Sequence, residues 1–342
     1  MKGIINLNKE PGMSSHAVVA AVRRIIGEKK TGHPGTLDPM ASGVLPILVG
    51  GATRCSDRFL DMPKTYAATA RFGLVSDTQD IWGNIVSRFG PGEVKVTEDE
   101  IREKLKAFCG DILQKPPAFS ALKKDGKPLY KLARKGIEVE TCERPVKVYE
   151  AALTRFFNEE GYPAAEIRIT CGRGTYIRTI INDLGELLGT GAVMSALQRV
   201  SYGDLRIEDA VTLGELAAIA GSGDTERVLL PVESVFRGLP EADLSVNEKI
   251  AYMQGKNVFL TPDRIDYGPD RPDACGDREE VLVKCAGKLF ATARLVPAEG
   301  QSIQKDDSDH NTTAGEKPDG ENACGTDGRV LLRLVPGRYF GE

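Results

Sequence analysis

The sequence predicts a mixed α/β domain followed by a small β-rich one, and three observations carry that prediction. Its 342 residues exceed the length at which a single core usually stops growing. Segments of helical and of strand periodicity alternate through residues 1–238. Around Leu239 the texture changes to short strand-like runs separated by turn residues, so the division is expected at 1–238 and 239–342.

MSSHAVVAAVRRIIG reads as a helix: Ser14 or Ser15 can cap it, Val18, Val22 and Ile25 recur at helical spacing, and Gly27 suits a left-handed end. GHPGTLDPMASGVLP follows from Gly32 to Pro46, setting one acid, Asp38, among glycines, prolines and small apolar residues. Residues Lys64 to Phe72 alternate as a half-buried strand would, and a polar, turn-rich loop then runs through Gly83. In TEDEIREKLKAFCG, Thr97 and Glu100 stand at capping-box spacing and Gly110 ends the helix. QKPPAFSALKKDGKPLYKLARKG is basic and proline-interrupted, and no single element fits it.

Ala165, Ile167, Ile169 and Cys171 then alternate, after which Ile177, Ile181, Leu184 and Leu188 recur at helical spacing. This is a strand feeding a helix through a glycine turn. Beyond Leu239, EEVLVKCAGKLFATARLV and RVLLRLVPGRYF read as strands. The stretch between them, about 299–328, is acidic and poor in large apolar side chains, and is expected to be a mobile insertion.

The composition is that of a globular protein, with 41% hydrophobic and 27% charged residues. No apolar run approaches the roughly 18 residues of a membrane span, and MKGIINLNKEPGMSS has too short an apolar stretch for a signal peptide. A cytoplasmic protein without a membrane partner is the expectation. Seven cysteines, widely scattered and without a C-x-x-C pair, argue for reduced thiols and against a metal or disulfide framework. The net charge of −4 hides an asymmetry. Residues 299–327 carry eight acids and two lysines, a charge of −6, which leaves +2 on the rest of the chain. A mildly basic body can bind RNA where its cations cluster on one face.

Taken alone, Asp38 before Pro39 is a turn residue and Tyr66 in KTYAA an ordinary strand aromatic. Arg178 is less ordinary. It falls in the first turn of an otherwise apolar helix, away from the end where the helix dipole favours a cation, so it calls for a specific anionic partner.

In series, G-H-x-G-T-L-D-P-x-A-x-G-V-L at 32–45, K-x-Y at 64–66 and G-T-Y-I-R at 174–178 resemble the TruB family of tRNA pseudouridine synthases, over most of residues 3–212. YMQGKNVF and LVPGRYF are similar to the small RNA-binding PUA domain that many members carry. The resemblance implies a catalytic domain with a central, mostly antiparallel sheet flanked by helices, and isomerisation of a uridine in the T-arm loop of tRNA, position U55, to pseudouridine. It assigns Asp38 as the catalytic aspartate, Arg178 as its ion-pair partner, and Tyr66 as the residue that stacks on the base and accepts the C5 proton. It also implies that His33 fills the gap left by a flipped nucleotide, that Asp80 hydrogen-bonds the base, and that Tyr176 and Leu197 line the pocket.

Lys9 is placed near RNA phosphate, although an isolated lysine reads first as a solvated surface charge. Pro34 stands where the family often has threonine and stiffens the turn. Isomerisation imports no group and oxidises nothing, so neither cofactor nor metal is expected, in keeping with the lack of G-x-G-x-x-G, G-x-x-x-x-G-K-[ST] and Cys/His ligand clusters. The expected form is a monomer acting on tRNA. Whether Asp38 attacks the base, attacks C1′ or removes a sugar proton stays open.

Two other classes compete. One is a non-catalytic protein that binds and refolds tRNA. The other is a glycosidase-like hydrolase, which ordinarily wants two carboxylates around one bond where the signature supplies one.

Overall fold

The structure is a computed structural model and describes residues 1–117, 119–120, 122–124, 127–129, 141–268, 280–297 and 332–340. The chain forms two compact units, Met1–Pro231 and Val232–Glu342.

The first unit is built on a sheet whose main path has seven strands: β1 (Gly3–Lys9), β2 (Ser42–Val49), β3 (Lys64–Phe72), β4 (Gly110–Gln114), β5 (Arg144–Glu159), β6 (Tyr162–Cys171) and β7 (Ala192–Tyr202). Their spatial order is β1-β2-β7-β3-β6-β5-β4, and Thr31–Gly32 and Leu205–Arg206 add short pairings at β2 and β7. Every pairing along the main path is antiparallel except that of β2 with β7. That junction is close. Gly43 has φ 103°, and a Cβ there would fall 2.2 Å from the carbonyl oxygen of Arg199, so only glycine lets the two strands meet at this rung.

Among the described residues the longer helices beside the sheet are α1 (Ser15–Ile26), α2 (Glu98–Leu105), α3 (Ile177–Leu187) and α4 (Leu213–Gly221). Three of them, α1, α2 and α4, begin where a capping side chain satisfies free N–H groups of the first turn. Ser14 accepts the Ala17 N–H at the start of α1, and Gly27, at φ 71°, closes it. The Thr97–Glu100 pair forms a reciprocal capping box on α2, as its spacing predicts, and Thr212–Glu215 does the same for α4. The sheet and helices meet in one core, to which α1 gives Val18, Val19 and Val22 and α3 gives Ile177, Ile180, Ile181 and Leu184. The clean alternation expected of Lys64–Phe72 is not observed. Ala68, Ala70, Arg71 and Phe72 are all buried, because β3 is an interior strand paired on both edges and Arg71 on its other face is held by Glu159 and Glu160.

The second unit carries a six-stranded sheet of β8 (Glu241–Leu244), β9 (Val258–Leu260), β10 (Ile265–Asp266), β11 (Glu280–Cys285), β12 (Lys288–Pro297) and β13 (Leu332–Tyr339), ordered β9-β13-β12-β11-β8-β10. The two strand-like runs beyond Leu239 are the β11–β12 hairpin and β13. Helix α5 (Val246–Met253) starts at a Ser245–Glu248 capping box and buries Tyr252, whose hydroxyl donates to the Thr292 carbonyl at 2.9 Å. The acidic stretch near 299–328 and most of the basic segment around 121–140 lie outside the described residues.

Candidate active site

Asp38 is held by its backbone before its carboxylate does anything. Its carbonyl accepts the Ala41 N–H at 3.1 Å, closing a turn with Pro39 in the second place, where the fixed φ of proline suits it. On one side, Ser15 Oγ both accepts the Leu37 N–H and donates to the Leu37 carbonyl, each at 2.9 Å. On the other, the Pro39 carbonyl accepts the Gly12 N–H at 2.8 Å. Lys9 completes the frame. Its Nζ donates to the carbonyls of Glu10 (3.0 Å), Pro39 (3.0 Å) and Ala41 (2.6 Å).

The expected surface position of Lys9 is therefore corrected: the side chain is fully buried, at the core end of β1. All three N–H bonds of its ammonium are spent on carbonyls, which leaves none for a phosphate. Burial lowers its pKa to about 8, with Asp38 opposing that shift and Arg199 adding to it.

Arg178 does find the anion its position calls for. It lies in the first turn of α3, and its Nη2 stands 3.2 Å from Asp38 Oδ2, while its Nη1 stands 3.3 Å from Asp80 Oδ2. The carbonyls of Thr78 and Phe119 accept its remaining bonds at 3.2 and 3.1 Å. The side chains of Asp80 and Arg178 are only 2% and 7% exposed, whereas that of Asp38 is 38% exposed. The guanidinium thus has a sealed carboxylate behind it and an open one in front. Asp80 Oδ1 is also occupied, by the Thr78 hydroxyl at 2.7 Å and the Trp82 N–H at 3.1 Å, so its carboxylate serves to position Arg178 in this state.

These groups face a cleft of about 750 Å³, lined among others by His16, Asp38, Asp80, Trp82, Phe119 and Arg178. That volume falls within the range of small-molecule sites. Of the other predicted residues, His33, Tyr66, Tyr176, Leu197 and Lys9 are not in its lining. His33 packs edge-on against His16, with ring centroids 5.7 Å apart, and burial lowers its pKa. Its Nδ1 is buried without a hydrogen-bond partner. Tyr176 caps α3, with its backbone N–H and carbonyl bonded to the Gln114 amide at 2.7 and 2.9 Å. Leu197 is a core residue opposite Ala68. Tyr66 is partly exposed on β3, and burial raises the pKa of its phenol, Arg199 opposing the shift and Asp38 adding to it.

Sequence reasoning missed Arg199 and Lys64, and overlooked His16 and Trp82 as cleft residues. Arg199 and Lys64 are both buried cations within β strands, and that oddity was legible in the alternation of AVMSALQRVSY and KTYAATARF. Among the described residues no group of three or more His, Cys, Asp or Glu side chains could hold a metal ion. Among the described residues no helix is long and apolar enough to cross a membrane.

The mostly antiparallel sheet with an arginine-braced aspartate facing a cleft of small-molecule size is the arrangement of a pseudouridine synthase. The family model for the TruB family pseudouridylate synthase N-terminal domain matches residues 23–177, and that for the tRNA pseudouridylate synthase B C-terminal domain matches 178–237. The chain is 40% identical over 259 residues to tRNA pseudouridine synthase B of Alkaliphilus oremlandii, covering 76% of this chain and 83% of that one. It is 39% identical over 298 residues to the protein of that name from Saccharophagus degradans, covering 86% and 92%. A solved Cbf5-Nop10-Gar1 complex superimposes with a TM-score of 0.63 at 27% identity, covering 86% of this chain and 78% of that one. This chain belongs to the TruB family of pseudouridylate synthases.

Proposed function

We propose that this chain, a tRNA pseudouridine synthase, isomerises the T-arm loop uridine of tRNA at position 55 through Asp38. The observation that carries the reading is the Asp80–Arg178–Asp38 line, in which a buried guanidinium aims one half-exposed carboxylate into the cleft. A carboxylate that must act as nucleophile or base has to stay ionised and fixed, and a cation at 3.2 Å does both.

A uridine inside a folded loop cannot reach that group, so the nucleotide flips out, at a cost of a few kcal/mol. The cleft receives it, with Trp82 and Phe119 as apolar walls; Tyr66, outside the cleft lining in this state, is assigned to the base by the family resemblance alone. The C1′–N1 bond breaks, the uracil turns, and C1′ joins C5. The second unit acts as a PUA-like RNA-binding module, and the protein works as a cytoplasmic monomer.

Forming pseudouridine removes the hydrogen on C5, so tRNA tritiated at C5 of its uridines releases tritium to water in step with product. The reading expects one equivalent per tRNA with wild type and none with Asp38→Asn. Equal release by the two proteins overturns it. Trp82 is the chain's one tryptophan and is exposed on the cleft wall, so a T-arm stem-loop should change its fluorescence with both proteins.

A further inference from the structure

A single rung of the sheet crosses four strands beside the site. Lys9 of β1 stands opposite Gly43 of β2, Gly43 opposite Arg199 of β7, and Arg199 opposite Tyr66 of β3. Directly opposed residues share a face, so the side chains of Arg199 and Tyr66 are cross-strand neighbours. A register shift follows at once, between Arg199 and Ser201, the kind of bulge that re-aims a side chain.

Arg199 is 1% exposed, and no carboxylate lies within ion-pair distance of it among the described residues. Its Nε donates to the Val44 carbonyl at 2.7 Å, its guanidinium sits 4.8 Å from the centre of the Tyr202 ring, and its Nη2 has no hydrogen-bond partner. It is the cross-strand neighbour of Tyr66, and its charge works against the rise that burial gives the phenol's pKa. Sealing a cation away from carboxylates is costly, and an orphaned N–H adds to the cost. Such a group is suited to a negative charge that arises only during the reaction.

The chemistry supplies one. The product has gained a proton on N1 and lost the one the substrate carried on C5. A half-turn of uracil about its N3–C6 axis exchanges the positions of N1 and C5, so one group beside C1′ can serve both atoms. The Tyr66 phenol gives its proton to N1, which keeps the electron pair of the broken C1′–N1 bond. After the C5=C6 pair has formed the C1′–C5 bond, the phenolate takes the C5 proton, and the C5–H electrons restore C5=C6. Tyr66 begins and ends neutral, and nothing is oxidised.

We propose that Arg199 is the positioning residue of Tyr66, holding its oxygen and balancing its negative charge between its gift of a proton to N1 and its removal of the one on C5. The inference rests on the reading of Tyr66 as the group that takes the C5 proton.

The test measures single-turnover rates of the full chain on tRNA carrying protium or deuterium at C5 of the target uridine. The variants are Arg199→Met, Arg199→Lys, Tyr66→Phe and the two double mutants, with thermal midpoints and tRNA affinity recorded for each. Arg199→Met should slow turnover roughly 10²-fold, the low end of what proton transfer contributes, and enlarge the C5 isotope effect. Arg199→Lys, which keeps a cation, should recover part of the rate, and it decides the matter if the Met variant does not fold.

In the Tyr66→Phe background either change should alter the rate by no more than about twofold, because its partner is already gone. Independent, multiplying losses with an unchanged isotope effect overturn the inference alone. A Tyr66→Phe enzyme as fast as wild type overturns the reading beneath it as well.

Discussion

Arg178 and Arg199 are both buried beside the same loop, yet their surroundings are opposite. Arg178 lies between two carboxylates and two carbonyls, and all of its order is spent on a geometry present before substrate arrives. Arg199 has one carbonyl, an aromatic face and a free Nη2. The contrast separates two uses of a buried cation. A paired one fixes a charged group in place, and an underpaired one stands ready for charge that forms later.

The largest expected effect is on the paired side. Asp38→Asn removes the one open carboxylate, so single-turnover formation of pseudouridine should fall by about 10⁴-fold or more, while tRNA affinity by filter binding stays within a few-fold of wild type. Arg178→Ala breaks the comparison from the other direction. It strands Asp80 in the interior, where removing one partner of a buried pair costs about 3–5 kcal/mol, so both turnover and the urea midpoint should drop. Adding Asp80→Asn should restore much of the stability and little of the rate. If stability and rate recover together, Arg178 does not act through Asp38.

A third prediction concerns Lys9 and Lys64, the cations flanking the underpaired arginine. Burial holds each at about 8, below the ordinary lysine value of 10.5. Above pH 8 the unfolded chain therefore binds more protons at these sites than the folded one, and their contribution to stability rises with pH. The lysine window runs to about pH 10.5, and from about pH 9 Cys171, pushed up to about 11 by burial, partly opposes it. Unfolding by urea at pH 8 and pH 9 should show wild type gaining on a Lys9→Met variant; equal slopes for the two contradict the assignment. The smallest effect belongs to a site outside both clusters. Ser14→Ala removes the cap of α1 and should cost about 1 kcal/mol of stability without changing the pH dependence.

Much of the scaffold was legible because local chemistry determines it. The Thr97–Glu100 box, the Gly27 end of α1 and the strand-to-helix switch after Cys171 all lie where their short-range signals put them. Arg178 was legible as a residue out of keeping with its helix position. Lys9 was not, because an isolated lysine normally stays in water, and nothing local announces the three carbonyls that enclose it. One signal did exist: Lys9 shares the strand face of Ile5 and Leu7, as Arg199 shares that of Leu197. The meeting of Arg199 with Tyr66 depends on β7 pairing with β3 across more than a hundred residues, and no local pattern encodes that register. The role of Asp80 as a brace was hidden likewise, since its partner lies 98 residues away.

The central claim is that one arginine-braced carboxylate rearranges a uridine in RNA. The direct measurement is mass mapping of an unmodified tRNA transcript, incubated with the purified chain alone and then treated with a reagent that adds mass to pseudouridine and not to uridine. A single adduct at the T-loop uridine with wild type, and none with Asp38→Asn, is the predicted result. An adduct formed equally by the Asp38→Asn protein, or no adduct with a wild-type protein that binds the transcript, contradicts it.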